Sequence, residues 1–307
     1  MERSSQTVDF APPVSVVIGT GEGWPYVRGL VGSLRAEAEE LGAEVVVADG
    51  SGNPPPTATD LGPSVRWLTS AGDSVFALYV LAMRAARAEI VALTEDHARP
   101  RPGWIAAALR AHTEHPQASA IGGAIENGTT DGLLPWASYF TTQGPHMAPL
   151  GNREVPATTN EANVSYKREA LEQVDPDEGT GFMAVLYNRR LAESGRVLRV
   201  DDRMVVDHYE ATGFASTTAL HFHNGRSVAG FRRTRGMSDE DWVRMMVSLM
   251  LPAWRTLRAL RVGLAKGRLR RQLLASAPLA LWLEYVQGIG HLTGYVAGPG
   301  DSPQHMR

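Results

Sequence analysis

The sequence predicts an α/β fold with a mostly parallel sheet flanked by helices and a helical C-terminal appendage. Three observations predict it. Short β-branched runs alternate with stretches of helical spacing over the first hundred residues. Each run is apolar at consecutive positions, which is typical of strands buried on both faces of a parallel sheet. Beyond about residue 235 the runs stop, and apolar segments with scattered basic residues follow.

The N-terminal part contains the clearest strand–helix alternation. We predict strands at 14–18, 44–48, 65–68 and 89–93, and helices at 24–41 and 75–88. Gly42 ends the first helix, because glycine is the residue most often found just past a helix C-terminus. This part is the start of the first of two predicted regions, 1–235, which a second region, 236–307, follows.

The pattern changes beyond Arg101. We predict a helix at 104–115, a strand at 118–125 and a loop-rich stretch at 128–160. Helices at 166–174 and 183–194 follow, with short strands at 197–200 and 204–206.

Polar residues follow three of the predicted strands. Thr20 follows the first strand, Asp49 the second, and Glu95, Asp96 and His97 the fourth. In open α/β sheets, ligands bind beyond the carboxyl ends of the strands. A single Asp there is more often a turn former, but carboxylates at two strand ends favour a site for Mg²⁺ or Mn²⁺ bridging to diphosphate oxygens.

Composition excludes several classes of function. With 43% hydrophobic residues, 21% charged residues and a formal net charge of −3, the chain has no basic excess for nucleic acid as a partner. The absence of cysteine excludes disulfides, thiolate nucleophiles and cysteine-based zinc sites. The polar N-terminus lacks the apolar core of a signal peptide, so we expect a cytoplasmic location.

The C-terminal region is basic and apolar. Between residues 244 and 283 it has no Asp or Glu, and its basic residues are Arg244, Arg255, Arg258, Arg261, Lys266, Arg268, Arg270 and Arg271. This predicts contact with an anionic membrane surface, peripheral to the inner face of the plasma membrane. Residues 273–298 are too polar for a clean span, which favours an interfacial or re-entrant hairpin. The alternative is packing on the first domain or, in a homo-oligomer, on a second copy. Residues 299–307 are predicted to be disordered.

Six short segments occur in a recognisable order. They are Val14-Ser-Val-Val-Ile18, Val46-Val-Ala-Asp-Gly-Ser51, Leu93-Thr-Glu-Asp-His97 followed by Trp104, Asn163-Val-Ser-Tyr-Lys-Arg168, Arg190-Leu191 and Val206-Asp-His208. Together they resemble the family 2 glycosyltransferases with a GT-A (Rossmann-like) fold, of the membrane-associated bacterial type. The resemblance runs from about residue 14 to about residue 233. It implies inverting, metal-dependent transfer from a nucleoside-diphosphate sugar to a lipid-linked or other amphiphilic acceptor.

The resemblance also implies site residues. Thr20 and Asp49 would contact the nucleoside, and Glu95, His97 and Asn163 would be further substrate contacts. Asp96 would be the main carboxylate ligand of the divalent cation, and His208 would be a second ligand or a diphosphate contact.

One departure from the family concerns the general base. The Glu-Asp pair that supplies it should fall near residues 183–184, where this chain has Met and Ala. The nearest candidates are Glu161, Asp177 and Glu178, and we favour Glu161 because it precedes the segment at Asn163.

Two alternatives remain open at this point. One is a catalytically degenerate domain that acts as a binding or scaffold protein. The other is a sugar-phosphate nucleotidyltransferase, which Glu22 disfavours, since that class has a basic residue in its glycine-rich loop.

Overall fold

A computed structural model describes residues 11–156, 161–177, 181–248 and 250–306. Its strands are β1 Val14–Thr20, β2 Glu44–Asp49, β3 Val65–Thr69, β4 Ile90–Leu93, β5 Ala98–Pro100, β6 Ala118–Asn127, β7 Val164–Lys167 and β8 Val197–His208. Its helices are α1 Trp24–Leu41, α2 Ala58–Leu61, α3 Val75–Ala85, α4 Trp104–Glu114, α5 Leu133–Thr142, α6 Arg168–Gln173, α7 Ala184–Glu193, α8 Phe214–Thr234, α9 Asp239–Met246, α10 Leu251–Ala265 and α11 Arg270–Ala297.

The eight strands form one sheet in the order β3-β2-β1-β4-β7-β6-β8-β5. The first four are parallel to one another. β7 then runs antiparallel to both β4 and β6, β8 is parallel to β6, and β5 is antiparallel to β8. The mostly parallel α/β fold expected from the sequence is confirmed.

Helices cover both faces of the sheet. Alternate residues of β1 point to opposite sides, so that Val16 and Ile18 pack in one hydrophobic core and Val17 in the other. Helices α1, α4 and α5 contribute to the first core, and α3, α6 and α7 to the second. This double burial explains why the strand sequences are apolar at consecutive positions.

Three predicted elements differ from the structure. The loop-rich stretch contains helix α5. The helix expected from residue 166 is preceded by strand β7, whose partners lie far away along the chain. The two short strands near residue 200 are one strand, β8. The polar residues between the two predicted strands form a β-bulge in β8. Gly123 of β6 pairs with Asp201, but the next residue, Ala124, pairs with Val205.

The C-terminal region forms a long helix where the sequence predicted a hairpin. α11 runs unbroken from Arg270 to Ala297 and packs along α8 and against α5. Its glycines allow close approach to α8. A Cβ atom on Gly290 would lie 2.2 Å from the Phe222 carbonyl oxygen, and one on Gly294 would lie 2.4 Å from that of Arg226.

The chain end is also ordered, contrary to expectation. A short 3-10 helix, Ser302–His305, packs against α8. Ser302 is fully buried, and its hydroxyl lies 3.0 Å from His223 Nδ1. Met306 packs against a small cluster that includes Phe76, Met183 and Phe231. These contacts fix the position of the C-terminal residues, which the sequence predicted to be disordered. Among the described residues, we find no helix with the length and apolar character needed to span a bilayer.

Candidate active site

Two predicted nucleoside contacts lie side by side at the carboxyl edge of the sheet. Thr20 ends β1, Asp49 ends β2, and they are register partners on these parallel strands. Both side chains are almost fully buried. Asp49 Oδ1 accepts the Ser51 N–H at 2.8 Å, so this carboxylate shapes the turn that follows β2.

Glu95, His97 and His208 form a compact group, here called the strand-end cluster. Glu95 and His97 lie in the turn between β4 and β5, and His208 ends β8. β5 brings them together, because Ala98, next to His97, pairs with His208. Glu95 Oε2 lies 2.9 Å from His208 Nε2 and 3.3 Å from His97 Nε2. One ligand atom from each residue lies within 4.8 Å of the others.

Two further carboxylates contact the Nδ1 atoms of the two imidazole rings, on the side away from Glu95. Asp96 Oδ1 lies 2.9 Å from His97 Nδ1, and Glu210 Oε1 lies 2.8 Å from His208 Nδ1. The sequence assigned Asp96 as the main carboxylate ligand, whereas Glu95 supplies the carboxylate of the strand-end cluster. Burial lowers the pKa of His208, but ion pairs with Glu210 and Glu95 outweigh burial and raise it to about 10.

The strand-end cluster fits a divalent cation. Ligand bonds of about 2.1 Å at right angles place neighbouring donor atoms about 3 Å apart, close to the two distances from Glu95. Each imidazole has a carboxylate on its other nitrogen, the usual support of a metal-bound histidine. Since Mg²⁺ prefers oxygen ligands, two imidazoles and one carboxylate suit a transition-metal ion better than Mg²⁺. To ligate a metal, His208 must give up its proton.

Glu161 lies beside residues 183–184, where the family resemblance places an acidic pair that this chain lacks. Its Oε1 accepts the N–H of Ala184, the first residue of α7, at 2.5 Å. The segment is held beside β4, since the Thr94 hydroxyl donates to the Ala162 carbonyl oxygen at 3.0 Å. Burial, followed by the negative charge of Glu95, raises the pKa of Glu161 to about 7. The Glu161 side chain is partly buried among the described residues.

The other predicted site residues have different surroundings. Asn163 is fully buried, and its assignment as a substrate contact stays a prediction. Its Oδ1 accepts from Trp104 Nε1, and its Nδ2 donates to the Ala124 and Met204 carbonyl oxygens. Its side chain therefore links α4, β6 and β8. Asp177 accepts from the Gly181 N–H and lies 3.6 Å from Arg84 Nη2. Glu178 lies outside the described residues.

Sequence reasoning missed the network behind His208. The Ser138 hydroxyl donates to Glu210 Oε2 at 2.5 Å and lies 3.1 Å from His221 Nε2. Glu210, Ser138 and His221 are all buried. The network joins the strand-end cluster to α5 and α8. Its one sequence signal is the spacing of two between His208 and Glu210, which puts side chains of an extended segment on one face.

No protein-family model and no curated protein matches the chain. Among solved structures, it is similar to the mannosyltransferase PcManGT from Pyrobaculum calidifontis in complex with GDP-Man and Mn²⁺, with 18% identity, a TM-score of 0.54, and coverage of 94% of this chain and 88% of that chain. Two other similarities are weaker. S. aureus TarS 1-349 has 13% identity and a TM-score of 0.47, with coverage of 92% of this chain and 91% of that chain. A mycobacterial protein has 14% identity and a TM-score of 0.49, with coverage of 74% of this chain and 76% of that chain. The first match shows that the chain shares the fold of that mannosyltransferase.

Proposed function

We propose that the chain is a metal-dependent glycosyltransferase that uses a nucleoside-diphosphate sugar. The observation that carries the proposal is the strand-end cluster, two histidines and a carboxylate at the sheet edge where α/β folds bind ligands. The fold supports it by analogy, because the similar mannosyltransferase structure contains GDP-Man and Mn²⁺. The finer resemblance to membrane-associated family 2 enzymes is part of the same proposal.

In this proposal Glu95, His97 and His208 would hold Mn²⁺. The ion would neutralise the charge that develops on the departing nucleoside diphosphate. Asp49 and Thr20 position the nucleoside at the neighbouring strand ends. Asp96 stays a proposed ligand, and its contact with His97 Nδ1 also orients that ring.

Glu161 serves as the general base. The acceptor hydroxyl oxygen attacks the anomeric carbon while the bond to the diphosphate oxygen breaks, which inverts the configuration. Glu161 takes the hydroxyl proton. Its raised pKa suits this role, because a base with a pKa near the working pH combines ionisation with proton affinity. Asp177 and the undescribed Glu178 are the alternatives.

We further propose a lipid-linked or other amphiphilic acceptor and an anionic membrane surface as the partner of the region 236–307. The enzyme would then act at the cytoplasmic side of the membrane, alone or as a homo-oligomer. Support comes from the eight basic residues of the 244–283 segment and its lack of acidic residues.

A catalytically degenerate binding domain is the second candidate. It is favoured by Met183 and Ala184 at the positions where the family has its acidic pair. The two candidates differ in turnover, because both would bind nucleotide but only the enzyme would release nucleoside diphosphate from the donor.

Calorimetric titration with UDP, GDP and their sugar conjugates tests the proposal. We expect one nucleotide to bind with Mn²⁺, more weakly with Mg²⁺, and not with EDTA. His97→Ala should weaken Mn²⁺ binding by more than the roughly 10- to 100-fold that is typical of losing an outer-shell partner, because His97 is a proposed ligand. His115→Ala is the matched control, because His115 precedes β6 at the opposite edge of the sheet. Failure of every nucleotide to bind with Mn²⁺ would reject both candidates.

A further inference from the structure

Three buried polar residues lie behind His208 and come from different parts of the fold. Glu210 follows β8, Ser138 is on α5, and His221 is on α8. Their exposed fractions are only 8%, 1% and 2%, and we call them the support network. Buried polar groups cost free energy unless they are paired, so the pairing within this network indicates what it holds in place.

The contacts of Ser138 determine where two hydrogens lie. Its hydroxyl has one hydrogen, which it donates to Glu210 Oε2 at 2.5 Å. Toward His221 Nε2, 3.1 Å away, the same hydroxyl can therefore only accept. Nε2 of His221 must then be the donor. Because a hydroxyl can otherwise rotate, this donor keeps the Ser138 hydrogen pointed at Glu210.

The Glu210 carboxylate has a partner on each oxygen. Oε2 accepts from Ser138, and Oε1 lies 2.8 Å from His208 Nδ1. A carboxylate at this position favours a hydrogen on Nδ1, which leaves the lone pair of His208 Nε2 for a metal ion. Nε2 is also the atom that lies 2.9 Å from Glu95 in the strand-end cluster. The support network therefore bears on the ligand atom itself.

The backbone at Glu210 is held independently of its side chain. The Thr129 hydroxyl accepts the Glu210 N–H at 3.0 Å and donates to its carbonyl oxygen at 3.3 Å. The orientation of the carboxylate is then a matter for its side-chain partners. The helix that provides His221 is held as well, because a Cβ atom on Gly225 would lie 2.2 Å from the Gln287 carbonyl oxygen of α11.

We propose that Ser138 and His221 are positioning residues for the metal ion of the strand-end cluster. Acting through Glu210, they fix the tautomer and the ring orientation of His208, and so raise the metal affinity of the site. The inference rests on the proposed function, since it concerns the metal site proposed there. A partner on the second nitrogen of a metal-bound histidine typically contributes to metal affinity. Here that partner is itself oriented from two helices.

A purely structural role would have a different result. If the support network only satisfied buried polar groups, its loss would lower the stability of the fold. The affinity of the folded protein for metal would not change. The test therefore measures the two quantities separately, with Mn²⁺ titration by calorimetry in the absence of nucleotide and with urea unfolding in EDTA, both on the full chain.

Ser138→Ala is the first variant. We expect it to weaken Mn²⁺ binding about tenfold, because Glu210 Oε2 loses the hydroxyl that orients it. Thr141→Ala is the matched control on α5, since the Thr141 hydroxyl donates to the Ala137 carbonyl oxygen of the same helix, and it should leave the affinity unchanged. A loss of stability in Ser138→Ala without a loss of Mn²⁺ affinity would overturn the proposal.

A double variant tests whether Ser138 acts through Glu210. Glu210→Met keeps the length of the side chain and removes both oxygens. In that background Ser138→Ala should have little further effect on Mn²⁺ affinity, because residues that act through one another are not additive. The same loss from Ser138→Ala with and without Glu210 would show a different route and contradict the proposal.

His221 provides a second pair of variants, which does not depend on the folding of Ser138→Ala. His221→Leu removes the donor and should weaken Mn²⁺ binding. His221→Gln should restore most of the affinity, because its side-chain amide can donate to Ser138 in place of Nε2. The control on the same helix is His223→Leu, since His223 contacts Ser302 instead. Equal losses in His221→Leu and His221→Gln would attribute the effect to packing and reject the role.

His97→Ala separates failure of this inference from failure of the metal site. Unchanged Mn²⁺ affinity in His97→Ala would reject the metal site, and the positioning roles with it. A loss in His97→Ala with none in Ser138→Ala and His221→Leu would reject the positioning roles alone. Losses in all three variants, with rescue by His221→Gln, are the result that we expect.

Discussion

Replacing Glu161 with Gln separates catalysis from binding. The substitution removes one negative charge and keeps a carbonyl oxygen that can accept the Ala184 N–H. Because Glu161 is the proposed base, we expect kcat to fall by about 10²- to 10⁴-fold. Mn²⁺-dependent nucleotide binding should persist, since Glu161 is not a member of the strand-end cluster.

The same substitution should stabilise the protein at alkaline pH. The pKa of Glu161 is raised from 4.5 to about 7 in the folded state. A raised carboxyl pKa contributes stability below about pH 4.5 that is lost as the pH rises through about 7. At about 1.4 kcal/mol per pH unit, the loss over these two and a half units or so reaches at most about 3.5 kcal/mol. Gln does not ionise, so Glu161→Gln should be more stable than the wild type at pH 8 and similar to it at pH 4.

Two assays check this pair of effects. Nucleoside diphosphate release measures kcat, and urea unfolding in EDTA at both pH values measures the free energy of unfolding. Asp177→Asn is the control, because this alternative base is engaged with Gly181 and Arg84. A wild-type kcat in Glu161→Gln would refute its role as base. Equal stability of variant and wild type at pH 8 would refute the argument that burial raises the pKa of Glu161.

Two further variants probe buried carboxylates. Glu210→Gln should lower Mn²⁺ affinity about 10- to 100-fold, because His208 Nδ1 loses its anionic partner; calorimetry that shows unchanged affinity would contradict this. Burial raises the pKa of Glu44, but hydrogen bonds from Ser15 and Arg87 outweigh burial and lower it. Glu44→Gln should therefore cost about 2 kcal/mol at pH 7, with the deficit shrinking below about pH 4.5; a pH-independent deficit in urea unfolding would count against it.

Local sequence patterns predicted the elements whose boundaries depend on local chemistry. α1 begins and ends where expected, because Gly42 adopts the left-handed conformation with φ of 66° that stops the helix. β1, β2 and β4 followed from continuous apolar runs. β7 was missed because its strand state depends on pairing with β4 and β6, which lie 70 and 40 or so residues away along the chain.

The candidate site was predictable only in part for the same reason. The strand-end rule placed Asp49, Glu95 and His97 at the carboxyl edge of the sheet, where the structure has them. It could not show which carboxylate meets His208, since that depends on the pairing of β5 with β8. The position of Glu161 beside Ala184 likewise arises from a contact between segments 23 residues apart.

The order of strands in the sheet has a consequence for how the chain folds. β1 to β4 can pair as soon as residue 93 has been synthesised, but the strand that covers the free edge of β4 is β7. β6 is made earlier and cannot dock on β4, because β7 lies between them. Until β7 arrives, β4 presents unpaired amide and carbonyl groups, a template for aggregation. Insertion of β7 is therefore the step at which we expect nascent chains to be most vulnerable, and chaperones most useful.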